Sequence, residues 1–459
     1  MSVFSLSNLK KTWYYLQKNG IRNAVWAVLE RIGQEQEVYA WQEPDEKTLS
    51  FQREHSASLR ISIVVPAYRT KKEHLEAMLN SVSRQSYPHW ELIVADAGGT
   101  AESVQAWAKK NGICLREAAD ASNLAKWKDQ SIVLCTLSEN KGISANTNAG
   151  IELAAGDAVG LLDHDDLLTA NALWEMADCL EKEKKRGKQK LVLFSDEDKC
   201  DGAASRFYEP NFKPDFDGEL LLTNNYICHF TVIETAFLKE LKLRSGFDGA
   251  QDYDLALRAY AAGGQFVHVP KVLYHWRCHE ASTASNPQSK RYAYEAGQRA
   301  LEDYCLRKGW KATVSGLKHL GFYREDYEGS VFCQRPEIGI WAKPLPGGRD
   351  VFGIRHPKGF LVSGLYENDG SMRYAGLRTG YSGPMHRAAL QQSAPAADLR
   401  SMEVCSALKE RYAQTIAELK EACQGLPTAA QETKILQKSM EFCKEATAAG
   451  YGILWDPQA

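Results

Sequence analysis

No apolar run in the chain approaches the roughly 18 residues that a bilayer-spanning helix requires, and its 11 cysteines include no CxxC pair and no zinc spacing. The first absence argues against a membrane span. The second argues against structural zinc and reads as reduced, cytosolic thiols. Charge of either sign is also not in excess: 56 Lys and Arg face 58 Asp and Glu for a net charge of -2, which argues against a nucleic-acid partner. Met1 to Leu6 lacks a basic region leading into an apolar core, so no secretory leader is expected and the expected location is the cytoplasm. What is present, 44% hydrophobic and 25% charged residues over 459 positions, is the composition of a globular chain of two or three domains.

The most informative stretch runs from Ala158 to Asp166, where the apolar run Ala158-Val159-Gly160-Leu161-Leu162 ends in Asp163-His164-Asp165-Asp166. Such a run reads as a strand buried in a parallel sheet with an acidic cluster at its carboxyl end, where open α/β sheets bind ligands. Carboxylates this close repel one another, and a divalent cation bridging to phosphate oxygens would relieve them. The alternative is a plain helix start, with Asp166 or Thr169 as the cap.

Along the chain, residues 6–42 read as a basic, aromatic helical segment, with Lys10, Lys11, Lys18 and Arg22 among Trp13, Tyr14, Tyr15 and Trp26. It either makes a peripheral contact with an anionic membrane or packs on the next domain. Residues 43–59 read as a linker. From Ile61 strand and helix signals alternate: strands at Ile61–Val65, Trp90–Ala95, Ser131–Cys135, Ala158–Leu162 and Leu191–Phe194, with helices between them over Leu75–Val82, Ser144–Ala154 and Asn171–Lys184. This order predicts a doubly wound, mainly parallel sheet with helices on both faces. Pro66, Ala67 and Tyr68, then Asp96, then Asp163 to Asp166 would converge at its strand ends. There Asp96 would accept from a base or ribose, the helix opened by Gly142 to Asn148 would present its amino end to phosphate, and Asp163 and Asp165 would hold a metal.

Five stretches in order, Ile61 to Tyr68, Val94 to Gly98, Glu139 to Ser144 with Asn148, Leu161 to Asp166, and Gln251-Asp252-Tyr253-Asp254-Leu255, resemble the successive motifs of family 2 glycosyltransferases with the GT-A fold, of the bacterial cell-surface polysaccharide type. The resemblance spans residues 60–325. It implies a nucleotide-diphosphate sugar donor, Mg²⁺ or Mn²⁺, and inversion at the anomeric carbon. The family's second strand usually ends in two aspartates, and here Ala95 replaces the first, leaving Asp96. By the same resemblance Asp163 faces the nucleotide and shares the metal, Asp165 holds the metal, His164 belongs with the donor-binding residues, and Asp252 is the catalytic base. Asp254 is expected to be structural. Tyr274-His275-Trp276-Arg277 with Ser282-Thr283-Ala284 resembles the loop that closes over the diphosphate, with His275 reaching metal or phosphate and Arg277 supplying charge. Ser195 to Asp198 is either part of an acceptor pocket or a surface acidic loop. Phe212 to Asp215 and Asn224 to Ile227 also resemble family segments, with no chemistry assigned to them.

Beyond residue 330 the signals thin out. Ala449 to Pro457 echoes Ala262 to Pro270 at an offset of 187 residues, and the same offset sets Lys438 and Ser439 opposite Gln251 and Asp252. No second aspartate triplet follows. Residues 331–459 are therefore expected to be the α/β remnant of a second, non-catalytic transferase domain, kept for acceptor binding, dimerisation or docking. The function expected of the whole is metal-dependent transfer of a sugar to a hydroxyl of a saccharide or lipid-linked saccharide acceptor, in the cytoplasm or at the inner membrane face. The alternatives are a non-catalytic sugar-nucleotide sensor or scaffold, and a nucleotidyltransferase. The latter is disfavoured because Pro66 to Thr70 stands where its Gly-rich, basic loop would be.

Overall fold

The computed structural model describes residues 39–118, 128–213, 215–278, 291–316, 321–342, 372–373, 393–394, 402–422 and parts of 438–455. The predicted amino-terminal helix lies outside them, except for residues 39–42. Contacts divide the chain into two units, the larger holding Tyr39–Lys308 and the smaller holding the described residues from Gly309 onward. The division after Lys308 falls earlier than the expected edge at 325.

In the larger unit α1 (Glu46–Glu54) comes first, where a linker was expected. Asp45 caps it by accepting from Thr48 N–H at 2.8 Å. Its inward face is only Leu49 and Gln52, so a buried glutamine hides the helical period. Gln52 donates to Glu175 and accepts from Ser86 at 2.7 Å. The chain continues through β1 (Ile61–Ala67), α2 (Lys72–Ser83), β2 (Trp90–Asp96), α3 (Ala101–Asn111), β3 (Cys114–Glu117), β4 (Ser131–Thr136), α4 (Ile143–Leu153), β5 (Ala158–Leu161), β6 (Leu167–Leu168), α5 (Ala172–Lys185), β7 (Leu191–Cys200), β8 (Phe207–Asn211), α6 (Gly218–Thr223), β9 (Thr231–Glu234), α7 (Thr235–Leu241), α8 (Gln251–Ala261), β10 (Gln265–Arg277) and α9 (Arg291–Arg307).

The strands form one sheet in the order β3-β4-β2-β1-β5-β9-β7-β10-β6, with β8 beside β7. Neighbours from β3 to β5 are parallel, β9 is antiparallel to both β5 and β7, and β10 returns parallel to β7. The expected doubly wound, mainly parallel α/β sheet is what the chain forms. Alternating residues show why: Ile61, Ile63 and Val65 of β1 join Leu92 and Val94 in a core with α2, α3 and α5, whereas Val64 and Ile93 point into the opposite core with α4, α7 and α8. Both faces are covered, so the strands carry nearly continuous apolar runs. From β1 the sheet grows to one side through β2 and to the other through β5. That reversal opens a crevice outside their carboxyl ends.

The smaller unit has a hairpin, Ala312–Gly316 against Tyr323–Tyr327. It also has a three-stranded sheet in which Ile338–Ala342 lies between Met402–Val404, antiparallel, and Gly452–Trp455, parallel.

Candidate active site

The acidic stretch forms the loop from β5 to β6, and its aspartates part company there. Asp166 turns inward, accepting from Tyr274 O–H at 2.5 Å and from Arg277 N–H at 2.7 Å. Neither it nor Thr169 caps α5, since Thr169 donates its hydroxyl to Asn171. Burial, with Asp163 and Asp165 adding, raises the Asp166 carboxyl well above the carboxylate range. Asp163, His164 and Asp165 remain half-buried. Burial also raises the Asp163 carboxyl, with Asp165 and Asp252 pushing it up and His229 and His164 opposing. The residues that act on Asp163 thus come from the loop itself, from α8 and from the segment before β9.

Arg277 is tied to the loop. Its guanidinium donates to the Asp165 carbonyl and, through Nη1, to the Gly202 carbonyl at 2.7 Å. Nη2 is buried with no partner among the described residues, so that end of the fork is uncommitted there. His275, expected to reach metal or phosphate, has its Nδ1 2.5 Å from Asp198 Oδ1, and its ring sits against Trp41 and Phe207. Among the described residues no group of three or more His, Cys, Asp or Glu side chains is arranged to hold a metal ion. Asp163 and Asp165 are a two-carboxylate platform. That is the donor set Mg²⁺ takes when substrate phosphates complete its shell, so the residues fit such an ion.

Asp252 opens α8, where the residue after it, Tyr253, donates its hydroxyl to the Leu221 carbonyl on α6 at 2.6 Å. Asp252 Oδ2 accepts from Asn225 Nδ2 at 2.8 Å. Asp254 is structural as expected, gripped by Arg244 and by Arg258, whose Nε donates at 2.9 Å.

At the other end of the crevice Tyr68 is 39% exposed and its ring lies over Gly98. Asp96 spends its carboxylate on its own loop, accepting from Gly98, Thr100 and Ala101 N–H at 2.9 to 3.2 Å, and so caps α3. The expected phosphate site at the amino end of α4 needs correcting. The Asp248 carboxylate already accepts there from Ser144 N–H at 3.3 Å, because free N–H groups and the helix dipole attract the nearest anion, here one on the same chain. Gly142, at φ +94°, leaves the room for it: an added Cβ would collide with Asp248. Asn148 is likewise a brace, its amide donating to and accepting from the Leu243 backbone at 2.8 and 2.9 Å.

A buried charge cluster, unanticipated from the residue pattern, adjoins this site through His229. Ser195 to Asp198 lie in β7 rather than in a surface loop. Glu197 there meets Lys213 Nζ, fully buried, at 3.5 Å and His229 Nδ1 at 3.1 Å. Burial opposes its ionisation, but Lys213 and His229 hold the Glu197 carboxyl down to about 2. Burial likewise favours neutral His229, and Cys228 and Glu197 outweigh it. Since burial pushes the Cys228 thiol up to about 12, Glu197 supplies the charge. The His229 ring stacks on Tyr274 at 4.9 Å, the residue that anchors Asp166. A lysine before a proline gave no periodicity from which its burial was readable.

Residues 62–241 match the model of glycosyl transferase family 2, a span from β1 to the end of α7 that leaves Asp252 beyond it. An uncharacterized protein y4gI of Sinorhizobium fredii is 36% identical over 255 residues, 55% of this chain and 26% of that protein. The O-antigen biosynthesis protein RfbC of Myxococcus xanthus is 34% identical over 256 residues, 56% of this chain and 19% of that protein. The chain spans about a quarter or less of the length of these relatives. Among solved structures, S. aureus TarS 1-349 in complex with UDP matches with 18% identity and a TM-score of 0.39 over 54% of this chain and 66% of that one. The match makes residues 62–241, built on the mainly parallel sheet, a domain of glycosyl transferase family 2.

Proposed function

We propose that the larger unit transfers a sugar, with inversion, from a nucleotide-diphosphate donor to a hydroxyl of a saccharide or lipid-linked acceptor in cell-surface polysaccharide assembly. The observation that carries this reading is the electrostatic grouping of Asp163, Asp165 and Asp252 at the strand ends of a family 2 domain. In the reaction Asp252 takes the proton of the acceptor hydroxyl as its oxygen bonds to the anomeric carbon, and the carbon–oxygen bond to the diphosphate breaks on the opposite face. Asp163 and Asp165 would hold Mg²⁺ or Mn²⁺, which when bound neutralises charge developing on the leaving diphosphate. The spare Nη2 of Arg277 is placed in the same role from the protein side. Tyr68, with Pro66 and Ala67 beneath it, offers a face for the nucleotide base. His164 stands between the two metal-holding carboxylates and lines the donor site.

The cytoplasmic location and a peripheral contact through the amino-terminal segment belong to the same proposal. No helix among the described residues is long and apolar enough to cross a membrane. The region after residue 330 is proposed as a non-catalytic second domain.

A thermal-shift screen of UDP-, dTDP- and GDP-sugars with and without Mn²⁺, on the native protein and on Asp165→Ala, tests the reading. A ligand at 100 times its dissociation constant stabilises by about 2.7 kcal/mol, so one nucleotide class should raise the midpoint only with metal and only in the native protein. No shift with any nucleotide would replace transfer by a scaffold role.

A further inference from the structure

Asn225-Tyr226-Ile227-Cys228-His229, within the seven-residue link between α6 and β9, is fixed at both ends. The Ile227 and His229 carbonyls accept from the buried Lys213 ammonium. Tyr226 accepts from Asp217 N–H at 2.7 Å, and its ring packs edge-on against Phe194. Asp252 is fixed as firmly, because Tyr253 next to it holds α6. Two independently anchored segments therefore bring Asn225 Nδ2 to Asp252 Oδ2 at 2.8 Å. The amide must present its nitrogen, since its oxygen would meet a carboxylate oxygen with like partial charge. Asn225 Oδ1 is buried and, among the described residues, has no partner, so the bond to Asp252 is the side chain's one observed commitment.

We propose that Asn225 is a positioning residue for the base: it engages Oδ2, fixes the plane of the carboxylate, and leaves Oδ1 to receive the acceptor's proton. The inference rests on the transfer reading above and adds to it a residue outside the aspartate motifs. A carboxylate free to rotate spends much of its time misaligned with the hydroxyl it must deprotonate, and alignment is what a supporting hydrogen bond secures. A neutral donor does this without displacing the negative charge that the base needs.

The test measures nucleoside diphosphate release from UDP-, dTDP- and GDP-sugars with Mn²⁺, with a membrane lipid extract as the source of saccharide acceptor, by the native protein, Asn225→Ala and Asn225→Asp, with donor-induced thermal shifts run in parallel. Loss of a hydrogen bond to a charged group is expected to lower kcat about 10- to 100-fold in Asn225→Ala. The donor KM and the donor-induced shift should stay within about twofold of native, since the amide acts on the base and not on the donor. Asn225→Asp keeps the size and the oxygen but loses the donor, so it should be at least as slow as Asn225→Ala. The inference is overturned if Asn225→Asp retains native kcat, which would make the oxygen the working atom, or if KM rises while kcat holds. A donor-induced shift in both variants shows that they are folded, and native kcat in that setting also overturns it. If the native protein binds donor but releases nothing even with the membrane lipid extract present, the transfer reading fails and this role fails with it.

Discussion

Two regions of this chain are built alike and equipped differently. In the larger unit β7 lies between β9, antiparallel, and β10, parallel. In the smaller unit Ile338–Ala342 lies between Met402–Val404, antiparallel, and Gly452–Trp455, parallel. A helix follows the antiparallel strand in both, Thr235–Leu241 in one and Ser406–Arg411 in the other. At the offset of 187 residues the likeness reaches single bonds. Leu255 and Ala259 are buried on α8, and Phe442 and Ala446 are buried at the matching positions. Gly264 N–H donates to the Ala259 carbonyl at 2.8 Å, as Tyr451 N–H does to Ala446 at 3.1 Å. Each turn passes through a left-handed glycine, Gly263 at φ +77° and Gly450 at +87°. These matches support the proposal of a degenerate second transferase domain. What the repeat lacks is chemistry: Ser439 stands opposite Asp252 and Lys438 opposite Gln251. Packing and helix-ending turns survive on apolar residues and glycine, whereas a site also needs carboxylates such as those at the ends of β2 and β5, for which the smaller unit shows no counterpart among the described residues.

The largest effect should come from exchanging a proposed base for an amide in one region and truncating its counterpart in the other. Asp252→Asn is expected to cut nucleoside diphosphate release by roughly 10²- to 10⁴-fold, the usual reach of general base catalysis. Ser439→Ala should leave it within about twofold, as a position outside the chemistry does. Comparable losses in both would end the idea that only one copy is catalytic.

Lysines sharpen the contrast next. Lys213→Met leaves Glu197 with His229 alone in the interior and should cost about 3 kcal/mol in a urea titration, the lower end for a broken buried pair. Lys438, whose ammonium meets Glu418 at 2.6 Å with the lysine side chain 33% exposed, should cost no more than ~1 kcal/mol when replaced by Met. Equal costs would contradict the burial of Lys213.

Acid should act on the same cluster. Glu197 has its folded pKa depressed from 4.5 to about 2, so its contribution is present above the unfolded value and is lost as pH falls from 4.5 toward 2. A shift of that size corresponds to about 3 kcal/mol as an order of magnitude. Glu197→Gln should therefore flatten the acid limb of the stability curve, measured by denaturant titration at successive pH values. An unchanged limb would show that the cluster does not hold Glu197 ionised.

Much of the sheet was legible because β1, β2 and β5 are buried on both faces and read as unbroken apolar runs. Helix α3 and strand β3 were not, since α3 turns only Val104, Trp107 and Ala108 inward and β3 has four half-buried residues. In the site, Asp252 comes within electrostatic reach of Asp163, a pairing across 89 residues for which the sequence offered only the family resemblance. The commitments of Asp96 and Asn148 to backbone groups were hidden, because a ligand-facing polar side chain and a cap have the same sequence. Asn225 and Lys213 were hidden for a further reason. Their partners, Asp252 and Glu197, lie 27 and 16 residues away, and no local pattern encodes such a pairing.

The smallest effect is the most direct test of the repeat. Gly263 and Gly450 have nothing within 4 Å of an added Cβ, so alanine at either meets no clash and pays only for the left-handed backbone. That penalty is about 1–2 kcal/mol, partly offset because alanine restricts the unfolded chain by ~0.4–1 kcal/mol. Gly263→Ala and Gly450→Ala should thus each lower stability by no more than about 1.6 kcal/mol, and by similar amounts. Each loss should appear in the unit that carries the substitution, followed by hydrogen exchange of Gly264 N–H in one unit and of Tyr451 N–H in the other, the amides that close the two turns. A loss at Gly263 with none at Gly450 would mean that the second turn is not held in the same conformation, and the correspondence at 187 residues would then be one of letters alone.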